Sequence, residues 1–247
     1  MALRAQVCRS AGGTDTVAMS LMSDKASRYN AAPMGTQPAP AAASLADEQR
    51  DLARRRIVRA ARRALAERGL ATTVDDVAEA AGVSRRTVFR HFATRENLFA
   101  VAIRDGLRTY GEHIPPGPGD DLATWLLDVL RAAHRLNARN GRVYWELSVL
   151  EPELSGELAA AAAERRRARR RFAEGVTRLM WRARGGTGPP PAWLTDAVAV
   201  HLSGFTTQSL GGDFGRSPDD VARVSARVLD AALTAALRER ADPGVGT

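Results

Sequence analysis

Arg85, Arg86 and Arg90, with Ser84, Thr87 and His91 among them, crowd cationic and hydrogen-bonding groups into the stretch 84–91. At helical spacing Val88 and Phe92 share one face, which leaves Arg85, Arg86, Phe89, Arg90 and His91 on the others. Guanidinium groups pair with guanine O6 and N7, and hydroxyls bond phosphate oxygens. A short amphipathic helix with that exposed face suits the major groove of DNA, while an ordinary helical hairpin with a solvated basic face would share the pattern.

The residues upstream supply the element that must position this helix. Thr73 is a good N-cap, and Asp76 stands at the third helical position of a capping box. Asp75 and Asp76 also place negative charge at the positive end of the helix dipole. Val74, Val77, Ala78 and Ala81 form an apolar stripe, and Gly82 falls where a left-handed C-cap belongs. Ser84 then caps the second helix. Two helices joined this tightly make a helix-turn-helix over 73–92.

Residues 50–99 together resemble the DNA-binding domain of the TetR (tetracycline-repressor-like) family. The resemblance lies in RRRIVRAARRALAERGL (54–70), TTVDDVAEAAGVSRRTVFRHF (72–92) and ATRENLF (93–99). It implies Arg85, Arg86 and Arg90 as base readers. It implies phosphate contacts from Thr72 or Thr73, Thr87, His91 and Arg95, with Ser84 as cap and further phosphate donor. Phe89 departs from the tyrosine common at that position. It keeps an apolar contact and loses the phosphate hydrogen bond. Val83, Val88 and Phe92 belong to the core.

Composition agrees with an all-α protein. Apolar residues make up 45% of 247 and aromatics 5%, with alanine and leucine dominant. Lys25 is the sole lysine beside many arginines, a bias that fits a bacterial genome of high GC content. Residues 47–110 carry 14 arginines against 9 acidic residues, so most of the formal +8 charge sits with the helix-turn-helix. Cys8 stands alone, and His91, His113, His134 and His201 lack ligand-like spacing, so neither a disulfide nor a metal or other cofactor is expected. No phosphate loop or nucleophile elbow points to an enzyme. No apolar run approaches the ~20 residues of a membrane span, and a cytoplasmic protein is expected.

Four regions follow: an Ala/Pro/Ser-rich extension over 1–46, expected to be disordered, the DNA-binding domain over 47–93, a helical domain over 94–240 and a short tail over 241–247, expected to be flexible. The extension reads as disordered because it has no helical stripe, and it carries no secretory signal; a basic arm on DNA is the functional reading, and a misassigned start at Met19, Met22 or Met34 is the other. Helices are predicted near 46–68, 94–111, 122–136, 142–150, 153–184, 192–210 and 218–240, with breaks at PPGPGDD (115–121), GGTGPPP (185–191) and GGDFGRSP (211–218). The run RRRARRR (165–171) wraps most of a helix, leaving Ala161, Ala168, Phe172, Gly175 and Leu179 as a core face. Its simplest reading is solvated arginines around a buried edge; an anionic effector or partner is the other.

For the larger domain the resemblance implies two roles. The last two helices would pair with those of a second copy, using Trp193, Leu194, Ala197, Val198, Val200, Leu202, Gly204, Leu229, Leu233 and Leu237 with the stripe Ala231, Ala232, Ala235 and Ala236. A pocket for a small apolar or aromatic effector would draw on Trp125, His134, Tyr144, Trp145, Met180, Trp181, His201, Phe205 and Gln208. The function implied is a homodimeric repressor on a palindromic operator of double-stranded DNA, released by a small molecule. A regulator or activator controlled without an effector, or by a partner, is the alternative.

Overall fold

Ser44 opens the first helix with its hydroxyl, which accepts the Asp47 amide at 3.2 Å. In the computed structural model, which describes residues 44–111 and 115–241, nine α-helices and two 3-10 turns carry the chain, and no strand occurs among those residues. The expectations for 1–43 and 242–247 lie outside the described residues. The helices are α1 (Leu45–Arg68), α2 (Val74–Ala81), α3 (Arg85–His91), α4 (Arg95–Gly111), α5 (Leu122–Val149), α6 (Gly156–Ala183), α7 (Ala192–His201), α8 (Gly204–Gly212) and α9 (Pro218–Ala241).

Two apolar clusters organise them. In the first, Ile57, Ala61 and Leu65 of α1 pack with Val74 and Val77 of α2, Val88 of α3, Phe92, and Leu98, Phe99 and Ile103 of α4. This cluster runs on into Val143 and Leu147 of α5 and Leu158 and Ala161 of α6. The second gathers Trp125, Leu126 and Leu130 of α5, Val176, Met180 and Trp181 of α6, Leu194 and Val198 of α7, and Leu229 and Leu233 of α9. So α5 and α6 each enter both clusters, at opposite ends.

That double anchorage corrects one expectation. The chain does not stop near Leu136 and restart at Arg142; α5 is continuous over 28 residues, about 42 Å at 1.5 Å per residue. Asn140 and Gly141 disfavour a helix locally, but packing at both ends holds it through them. The Asn140 side-chain amide donates to the Leu136 carbonyl at 2.9 Å rather than opening a turn.

A second correction runs the other way. The predicted helix over 192–210 is two helices, because Ser203 accepts the Thr206 amide at 3.1 Å and caps α8. The apolar run across Val198–Leu202 concealed that cap. The start of α9 is as expected: Ser217 accepts the Asp220 amide at 3.2 Å, with Pro218 as first helical residue.

The proposed pairing residues also divide. Leu194, Val198, Leu202, Leu229, Leu233 and Ala236 are buried in the chain's own core. Exposed on α9 instead are Val224, Val228, Ala231 and Ala235, one stripe at helical spacing. Trp193 and Val200 of α7 are exposed as well.

Candidate nucleic-acid interface and cavity

The helix-turn-helix is held by local bonds. Thr73 accepts the Asp76 amide at 3.1 Å, and Asp76 accepts the Thr73 amide at 2.8 Å, a reciprocal capping box. Gly82 closes α2 at φ +63°, ψ +40°, a conformation glycine takes without strain. Ser84 accepts the Thr87 amide at 3.1 Å and caps α3, while its hydroxyl also meets the Thr87 hydroxyl at 2.9 Å. Arg56 of α1 donates to the Ala81 carbonyl at 3.0 Å, placing a cation on the negative end of α2. Val88 and Phe92 are buried, and the Arg54 guanidinium lies 5.2 Å from the Phe92 ring centre.

On the outer face of α3, Arg85, Arg86, Phe89 and Arg90 are exposed. Arg86 and Arg90 have no ion pair among the described residues. Arg85 pairs with Asp75 at 2.6 Å and covers the Phe89 ring at 5.3 Å. That pair is solvated on both sides and therefore weak, so Arg85 can exchange Asp75 for a nucleic-acid acceptor. Thr87 and His91 are half-buried at the edges of this face. The His91 Nε2 is enclosed and has no hydrogen-bond partner among the described residues. Burial lowers its pKa first, and the nearby Arg90, Arg54 and Arg50 lower it further, so the ring is neutral near pH 7.

Two expected contacts take other roles. Thr72 is fully buried, and its hydroxyl donates toward the Ala64 carbonyl at 3.0 Å and the Gly69 carbonyl at 2.8 Å. It locks the end of α1 and faces no solvent; of the two threonines, only Thr73 is exposed. Arg95 donates to the carbonyls of Thr72 and Leu70 and lies over the Phe99 ring at 4.5 Å. Its guanidinium fastens the turn before α2 to α4, which leaves less of it for a phosphate.

The larger domain holds a cavity of about 150 Å³ between α4, α5, α6 and α8. Of the expected pocket residues, Tyr144, Trp145 and Phe205 line it. Trp145 and Phe205 are exposed and stacked, with ring centres 5.5 Å apart. Trp125, Met180 and Trp181 are instead core, and Gln208 is exposed away from the lining. His134 is buried in a polar chain: its Nδ1 meets the Thr207 hydroxyl at 2.8 Å and its Nε2 meets Ser225 Oγ at 3.5 Å. His201 Nδ1 meets the same Ser225 Oγ at 3.1 Å. Burial brings the His134 pKa down to about 4.

The sequence reading missed several lining residues: Leu107, Asn137, Ser148, Arg165, Ala168, Arg169, Phe172, Leu202 and Gly204. Ala168 and Phe172, expected as core, line the cavity as well, and Phe172 is only half-buried. Arg165 and Arg169, spaced i, i+4, flank the face of Ala161, Ala168 and Phe172 and so border the cavity. Reading the run as uniformly solvated is corrected for Arg165, which is half-buried, while Arg169 is exposed at the rim. Among the described residues no group of acidic, histidine or cysteine side chains could hold a metal, and no helix is long and apolar enough to cross a membrane.

Cavity and helix-turn-helix meet through α5. The Leu70 amide donates to the Glu146 carboxylate, next to the cavity-lining Trp145. Gly69 leaves room for that carboxylate: at φ +64° a Cβ there would come within 2.1 Å of Glu146 Oε2.

Residues 57–102 match the family model of the bacterial regulatory proteins of the tetR family. No curated protein matches the chain. A tetR-family transcriptional regulator from Streptomyces coelicolor has a similar structure, with 22% identity, a TM-score of 0.56 and coverage of 75% of this chain and 81% of that one. So does FadR of Bacillus subtilis, solved with stearoyl-CoA, at 16% identity and TM-score 0.52 over 71% of this chain and 95% of that one. NalD of Pseudomonas aeruginosa, the secondary repressor of the MexAB-OprM multidrug efflux pump, is 22% identical at TM-score 0.51 over 74% and 96%. Residues 57–102 thus match the amino-terminal domain model of the bacterial regulatory proteins of the tetR family, and the chain is similar in fold to solved regulators of that family.

Proposed function

We propose that this chain is a homodimeric, cytoplasmic transcriptional repressor that reads a palindromic operator and leaves it when a small molecule fills the cavity. The observation that carries the reading is the outer face of α3. Arg86 and Arg90 stand exposed and without ion pairs among the described residues, on a helix capped at Ser84 and backed by buried Val88. They are the base readers, most simply of guanine, with Arg85 beside them. Thr73, Ser84, Thr87 and His91 border the phosphates, and Phe89 offers an apolar surface to sugar or thymine methyl. The exposed α9 stripe of Val224, Val228, Ala231 and Ala235 supports pairing with a second copy, with exposed Trp193 and Val200 of α7 beside it. A dimer sets two α3 helices about one DNA turn, ~34 Å, apart.

Release needs a ligand that prefers the conformer with mis-spaced α3 helices. The link through α5 supports such coupling. Tyr144, Trp145 and Ser148 line the cavity within one turn of Glu146, which holds the Leu70 amide. Arg95 ties the same turn to α4. A ligand that moves this end of α5 therefore pulls on the turn between α1 and α2. FadR, with stearoyl-CoA in its structure, supports an organic ligand in this architecture.

The test is selection of bound sequences from random duplex DNA by the purified chain, followed by a metabolite screen for release. A two-fold symmetric site bound by two copies is expected. Recovery of no preferred sequence, or tight binding of one half-site by a monomer, would defeat the reading.

A further inference from the structure

Several arginines around the cavity are matched by acids. Arg104 meets Glu164 at 2.9 Å, Arg170 meets Glu174 at 2.9 Å, and Arg166 pairs with Glu151. Arg165 differs. It is half-buried in the cavity wall, and no carboxylate pairs with it among the described residues. Its Nη2 donates to the Ser148 hydroxyl, its guanidinium lies 5.5 Å from the Tyr144 ring centre, and its Nε is enclosed without a hydrogen-bond partner. Arg131 also has an enclosed Nε, but Asp128 balances its charge at 3.2 Å. Withdrawing a guanidinium from water without a counter-charge is costly. Burial and the neighbouring Arg169 both lower the Arg165 pKa, the direction expected of a cation short of an anion.

The rest of the wall is mostly apolar. Tyr144, Trp145, Phe172, Leu202 and Phe205 contribute to it, and the stacked Trp145 and Phe205 stand exposed at its edge. A cavity of about 150 Å³ is the size that takes a single benzene ring in engineered apolar sites. A second fused ring would extend along the stacked Trp145–Phe205 pair at the cavity edge.

We propose that the cavity binds a compact aromatic carboxylate, of one or two rings, whose carboxylate is taken by the Arg165 guanidinium and whose ring packs among Tyr144, Phe172 and the Trp145–Phe205 pair. This names the ligand class and rests on the effector reading above. Ser148 already holds one Arg165 nitrogen and orients the fork. Arg169, donating to the Ala199 carbonyl at 3.0 Å, adds positive potential to the same wall. The geometry favours an acid over its neutral isostere because the enclosed charge is satisfied only by the acid.

Calorimetric titration of the full chain with 2-naphthoate and its neutral isostere 2-naphthamide tests this. The acid should bind at least about tenfold more tightly, the value of one charge-assisted contact. Arg165→Met keeps the apolar stem and should erase that preference with amide binding little changed, while Arg165→Lys should restore part of it. Thermal melting confirms that each variant is folded. Equal affinity for acid and amide, a preference that survives Arg165→Met in folded protein, or binding of neither probe at millimolar concentration overturns the proposal. Operator release is measured with the same probes. Acid-selective binding without release keeps the anion site and defeats the effector role; release by neutral aromatics alone keeps the effector role and defeats the anion site.

Discussion

The amino-terminal lobe and the larger domain are both helical, yet they are stabilised over very different sequence distances. In the lobe, caps at Thr73, Ser84 and Thr94 reach three residues ahead, the Thr72 hydroxyl reaches back eight at most, and the Arg56 and Arg95 contacts span 23 to 25. In the larger domain the defining polar contacts cross 60 to 91 residues: Arg104 to Glu164, Arg135 to Asp219, His134 to Ser225. The lobe leaves Arg86 and Arg90 of α3 without an ion pair among the described residues, whereas in the larger domain Arg135 and Arg184 are tied to acids on a different helix. Local caps can fix the ends of a presenting helix, and distant bonds are needed to close walls around a cavity. The difference explains why the lobe suits a ligand that supplies its own charge, as DNA does.

The largest expected effect lies in the distant half. Leu233 is buried among Trp181, Leu194 and Leu229, so Leu233→Ala should cost about 2–5 kcal/mol in denaturant unfolding. A loss well under 1 kcal/mol would mean that the second cluster is not a packed core.

Acid should act on the same half. His134 has a folded pKa near 4, below the ordinary 6.5, so the folded state binds fewer protons than the unfolded chain. Its stabilisation is full above pH 6.5 and fades as pH falls toward 4, to a total of about 3 kcal/mol. Unfolding measured at pH 7.5 and 4.5 should show the loss, and His134→Gln should shrink it. Should the variant keep the whole pH dependence, other groups carry it; His91, lowered mainly by burial, has the same sign.

In the lobe the expected effects fall on binding. Arg86→Ala should weaken operator binding about ten- to a hundredfold, or 1–3 kcal/mol, and relax preference at one base pair. Anisotropy titrations against each base variant check this; an unchanged preference at every position assigns Arg86 to the backbone alone.

Thr72→Val gives the smallest shift and sharpens the contrast within the lobe. It removes two buried hydrogen bonds and should cost about 1 kcal/mol of stability with DNA affinity unchanged in the folded protein. A clear loss of affinity without loss of stability would return Thr72 to the interface.

The legible parts were those with short-range causes. The capping box, the left-handed Gly82, the Ser84 cap and the burial of Val88 and Phe92 all follow from residue types within one or two turns. The break at Ser203 was equally local, but an apolar run masked it. The continuity of α5 was not legible, because Asn140 and Gly141 argue for a stop and only two separate cores override them. Nor were the fates of the aromatics: Trp125 and Trp181 became core while Trp145 and Phe205 became cavity edge, a choice made by which helices pack on each face.

By itself, then, the sequence determined the all-helical class, the helix-turn-helix and the identity of its exposed arginines, since helix periodicity and capping act through neighbours along the chain. Only the tertiary structure decided that Thr72 and Arg95 are tied inward, that Glu146 joins α5 to the turn after α1, and that Arg165 stands in a cavity wall with no carboxylate partner among the described residues. Those facts depend on residues tens of positions apart being brought together by the burial of apolar faces, which favours contact but does not say which polar groups will meet.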